Sequence, residues 1–64
     1  MNLLFFTGLE NQTIAVNPEA VIMVEVGAAY SGEYTAIITA GSVIRVKESF
    51  DSVVHALNAW RKKA

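Results

Sequence analysis

One stretch of this chain carries the spacing of an amphipathic α-helix, and it comes last. Phe50, Val53, Val54, Leu57 and Trp60 recur at i, i+3, i+4, i+7 intervals, while Asp51, His55, Asn58 and Lys62 fall on the opposite face. Ser49 suits the N-cap, and Asp51 suits the positive end of the helix dipole. The segments upstream read instead in the two-residue period of strands. Parallel strands need long crossover connections, usually helices, and none is present, so the strands must pair antiparallel through short turns. The predicted fold class is α+β: about five antiparallel β-strands, a meander able to curl toward a small barrel, with one C-terminal amphipathic helix packed on one face. A chain of 64 residues makes a single domain, 1–64.

The strands follow from local pattern. Leu3 to Thr7 is bulky and aromatic, and Gly8-Leu9-Glu10-Asn11 supplies a turn in which Gly8 and Asn11 accept positive φ. Gln12 to Val16 alternates, with Ile14 and Val16 opposite Thr13 and Ala15, and is the expected hairpin partner of the first strand. Asn17-Pro18-Glu19-Ala20 predicts one capped helical turn. Val21 to Val26 is apolar on both faces apart from Glu25, the pattern of a strand covered on two sides. Gly27 to Glu33 reads as the longest loop. Tyr34 to Thr39 is the fourth strand, and Ala40-Gly41 reverses the chain. In Ser42 to Lys47, Ile44 and Val46 face inward while Val43, Arg45 and Lys47 face outward.

Size then bears on association. A chain this short buries only roughly 60% of the surface that its unfolded form exposes, and small domains commonly add disulfides, metals or a second subunit. There is no cysteine, and one histidine cannot build a structural zinc site. Yet 53% of the residues are hydrophobic. One helix covers one sheet face, so the doubly apolar strands at Leu3–Phe6 and Val21–Val26 predict a homo-oligomer, a dimer or larger. Phe5, Phe6, Met23, Val24, Tyr30 and Tyr34 are its candidate contacts. Leu3-Leu4-Phe5-Phe6 is too short for a secretory core and the run Ala20 to Val24 too short for a span, so the expectation is a cytoplasmic protein with no membrane partner.

Charge is unevenly placed. Residues 1–44 hold Glu10, Glu19, Glu25 and Glu33 with no Lys or Arg, whereas residues 45–64 hold Arg45, Lys47, Arg61, Lys62 and Lys63 against Glu48 and Asp51. Three cations in the last helical turn suit the dipole there. Glu25 either marks the solvent-facing end of its strand or makes a buried pair with Arg45 or Lys47, within the chain or across an interface, since a buried charge demands a partner.

No constellation meets the requirements of catalysis. His55 and Asp51 share an exposed helix face, whereas a triad needs a desolvated, oriented pair touching a nucleophile. The glutamates are scattered singly, so none are paired for acid–base work. Gly27 to Gly32 fails as a phosphate loop, because Glu33 and Tyr34 stand where Lys and Ser or Thr are required. The chain is therefore expected to be no enzyme and to need no cofactor. Tyr30-Ser31-Gly32-Glu33-Tyr34 is the most binding-like stretch, with two amphipathic rings around Ser-Gly. With the Arg45 and Lys47 face it forms an alternative site for a small ligand or nucleic acid. A sequence pI of about 5.6 and the lack of interleaved aromatic and basic residues disfavour nucleic acid.

Val16-Asn17-Pro18-Glu19-Ala20-Val21-Ile22 with Glu25, then Thr35-Ala36-Ile37-Ile38-Thr39-Ala40-Gly41 and Val46-Lys47-Glu48-Ser49, resemble the FlbD-like family of short proteins encoded with flagellar genes. The first turn lacks that family's Leu-Asn-Gly, and the Gly27–Glu33 segment is longer and lacks its Pro-Asp-Thr. The resemblance implies a non-enzymatic accessory protein acting through protein contacts, linked to motility, and brings no catalytic residues with it.

Overall fold

The computed structural model describes residues 3–30 and 32–63. In order, the chain forms β1 (Leu4–Thr7), β2 (Thr13–Val16), a 3₁₀ turn (Pro18–Ala20), β3 (Val21–Ala29), β4 (Gly32–Thr39), β5 (Val43–Val46) and α1 (Phe50–Lys63). The fold is α+β with every strand pair antiparallel. Among the described residues the strands do not join in the single meander that the sequence pattern predicts, and they do not close. They divide into a hairpin, β1-β2, and a three-stranded sheet ordered β3-β4-β5.

The seam between the two sheets explains the division. Gly8 bridges Val46, and the Lys47 N–H donates to the Thr7 carbonyl at 2.8 Å. The Thr7 N–H, however, donates to the Glu48 carboxylate at 2.9 Å. A side chain thus takes the donor that a longer ladder would need, and two residues later the chain enters the helix.

The short turns follow their residues. Asn11 adopts φ 65°, a left-handed conformation that asparagine tolerates. The Asn17 side chain accepts the Glu19 N–H at 3.0 Å, capping the turn that begins at Pro18. At the helix start, Ser49 Oγ accepts the Ser52 N–H at 3.1 Å, and the Ser49 carbonyl accepts the Val53 N–H.

The core lies between the hairpin, the inner face of the three-stranded sheet and the helix. Phe6, Val16, Ile37, Val46 and Val53 are buried, with Leu4, Ile14, Val21, Val24, Ile44, Ala56 and Leu57 packed around them. β4, the central strand, is buried on both faces at Thr35, Ala36 and Ile37. The Thr35 hydroxyl donates to the Glu48 carbonyl at 2.6 Å. Phe50, expected on the covered helix face, opens instead to solvent at the first helical position.

The segment Gly27–Glu33 is not a long loop. Pairing continues from Met23↔Ile38 through Gly27↔Tyr34 to Ala29↔Gly32. Ser31 lies outside the described residues. Gly32 takes φ 127°, open to glycine and strained for other residues. Gly27 and the two alanines read as loop because they lack the bulk that marks a strand. The bulk comes from across the ladder, where the Tyr34 ring occupies the space a Gly27 side chain would fill.

Candidate functional site

Cross-strand partners point to the same face of a sheet, so the register sorts the side chains of β3, β4 and β5. One face carries Val24 and Val26, Thr35 and Ile37, and Ile44 and Val46 toward the core. The other carries Met23, Glu25 and Gly27, Tyr34, Ala36 and Ile38, and Val43 and Arg45. No helix packs on that outer face among the described residues; α1 lies on the core side with Val53 buried.

On this outer face Glu25, Ala36 and Arg45 share one row across three strands. Glu25 is exposed, and it stands in the middle of β3 and not at the end of the strand. Arg45 lies over the Tyr34 ring, 5.5 Å from its centroid, within reach of a cation–π attraction. The Lys47 ammonium, just beyond β5, donates to the Asn11 side-chain oxygen.

β3 forms one border of the sheet. It is nine residues long, and β4 is its only strand neighbour among the described residues. Ile22, Met23 and Val26 are 69%, 48% and 52% exposed along it. The register shifts between Val21 and Met23, which places a bulge at Ile22. Beyond the bulge, Met23 to Ala29 is regularly paired with β4.

The other candidate contacts separate. Phe5 points outward and is 66% exposed, whereas Phe6 is 5% exposed and belongs to the core, so it leaves the interface set. Their opposite fates follow from the hairpin register: Phe6 stands opposite Ile14 on the buried face and Phe5 opposite Ala15 on the outer one. Val24 likewise sends its side chain toward the core. Tyr30 is fully exposed at the hairpin tip, while Tyr34 is half-buried. Phe5 borders an open groove of about 640 Å³ with Leu3, Leu4, Ala56, Trp60 and Lys63. Arg61, Lys62 and Lys63 are exposed in the last turn of the helix.

Two residues that matter to this arrangement were not singled out by sequence reasoning. Glu48 ties the hairpin to the sheet through its carboxylate and holds Thr35 through its carbonyl. Its partners lie far away in sequence, so no local pattern marked it. Gly27 admits the Tyr34 ring, and a glycine beside two alanines gave only the signal of a turn.

Among the described residues, no group of His, Cys, Asp or Glu is placed to hold a metal ion, and no helix is long and apolar enough to cross a membrane. His55 and Asp51 are both exposed on the helix. No family model matches the chain, nor does any curated protein or solved structure.

Proposed function

We propose that this protein is a non-enzymatic interaction module that associates with itself through the border of its three-stranded sheet. The observation that carries the reading is β3, a nine-residue strand with one side unpaired among the described residues and three exposed large apolar residues. An unpaired strand offers a row of backbone donors and acceptors to another chain. Monomeric proteins blunt such borders with lysines, prolines, inward charges or a covering loop. β3 has no lysine and no proline, and its one charge, Glu25, points to solvent. The bulge at Ile22 interrupts only its beginning.

The test is molar mass by light scattering over a hundredfold dilution range. A dimer or larger species is expected, and Met23→Glu should dissociate it while circular dichroism stays unchanged. A folded wild-type monomer at every concentration removes this reading.

A further inference from the structure

We infer that two copies pair β3 against β3 antiparallel about a two-fold axis through Val26, joining their sheets into one. This rests on the self-association proposed above and gives it a register.

The argument begins at the far side of the sheet. The Thr39 N–H donates to the Ser42 carbonyl across the β4–β5 reversal. Backbone groups alternate in direction along an antiparallel strand. Thr39, Ile37 and Thr35 therefore bond toward β5, and Ile38, Ala36 and Tyr34 toward β3. Their partners Met23, Glu25 and Gly27 bond back to β4. The residues between them, Val24, Val26 and Ala28, direct their N–H and C=O groups to the free border.

Two such borders can pair symmetrically in several registers, and only one satisfies every constraint. A centre at Glu25 sets two carboxylates opposite each other, which is repulsive. A centre at Val24 drives the bulge at Ile22 into the ladder. A centre at Gly27 leaves Val24 without a partner. A centre at Val26 uses the regular segment from Met23 to Ala29: Val26 exchanges bonds with its own copy, and Val24 exchanges them with Ala28 of the second copy.

That register also matches side chains. It places Glu25 directly opposite the second copy's Gly27, the residue beneath the Tyr34 ring. The Tyr34 phenol oxygen stands 2.7 Å from where a Gly27 β-carbon would be, and so at the free border. In the joined sheet this hydroxyl donates to the carboxylate of Glu25 across the axis, and the symmetry repeats the bond. Arg45, stacked on the same ring, holds the phenol in place from within its own chain.

The chain has no cysteine, so single cysteines report the register directly. Paired Cα atoms in a bonded antiparallel pair lie about 5.5 Å apart, within disulfide reach. Val26→Cys is expected to oxidise to a covalent dimer and Val24→Cys to remain uncrosslinked. Val26→Pro removes a donor directed at the border and none directed at β4, so it should give a folded monomer by light scattering. Tyr34→Phe should weaken the dimer by roughly tenfold or more, since a hydrogen bond to a charged group is lost on each side of the axis. A wild-type dimer in which Val26→Cys does not crosslink overturns this register and leaves self-association standing. A wild-type monomer overturns both. Should Val26→Pro unfold, the cysteine pair decides alone.

Discussion

The Tyr34 ring lies across Gly27 so closely that a β-carbon at Gly27 would overlap the phenol. This contact makes a strand of a segment that composition alone marks as loop, because the ring supplies the apolar cover that Gly27 lacks.

Gly27→Ala should therefore destabilise the fold by about 1–3 kcal/mol, the usual cost of forcing atoms into filled space. In the Tyr34→Ala background the same change should cost far less. Urea unfolding of the four proteins in this cycle measures the coupling; additive losses would mean that ring and glycine act independently.

Glu48→Ala should cost about 1.5–3 kcal/mol, because it strips the charged acceptor from the half-buried Thr7 N–H. Glu48→Gln retains an acceptor and should lose less. The more specific readout is amide exchange at Thr7, which should accelerate in Glu48→Ala more than exchange at Ile37.

Phe5→Ala and Phe6→Ala should differ sharply although the residues are adjacent. Phe6 fills the core, and its truncation is expected to cost about 3–5 kcal/mol. Phe5 stands outside, and its loss should leave the thermal midpoint almost unmoved. Thermal melts of the two variants at low concentration test the hairpin register.

Ser49→Ala should cost about 1 kcal/mol by removing the oxygen that accepts the Ser52 N–H. Ser49→Asp should retain most of the stability. Equal losses in the two variants, read from chemical denaturation, would show that this oxygen does not cap the helix.

Local elements were legible in the sequence wherever a period was visible. The helix, the alternation of β2 and β5 and the Asn17 cap each announce themselves within a few residues. Phe5 and Phe6 did not separate, because a strand apolar on both faces has no period to read. Only the partners Ile14 and Ala15 decide which ring goes inside. The division into two sheets was equally hidden, since it turns on a backbone donor meeting a carboxylate 41 positions away. Candidate contacts were legible as exposed bulk at Met23 and Tyr30. The direction of the backbone groups at Val24, Val26 and Ala28 required the ladder itself.

The Thr7–Glu48 bond also makes the hairpin dependent on residues far along the chain. The seat of β1–β2 is made by residues 46–48, just before the helix. A two-stranded hairpin alone is marginal in water. Phe6 and Val16 therefore keep their cover only while β5 and the Glu48 side chain are in place, so the hairpin and the sheet must be lost together.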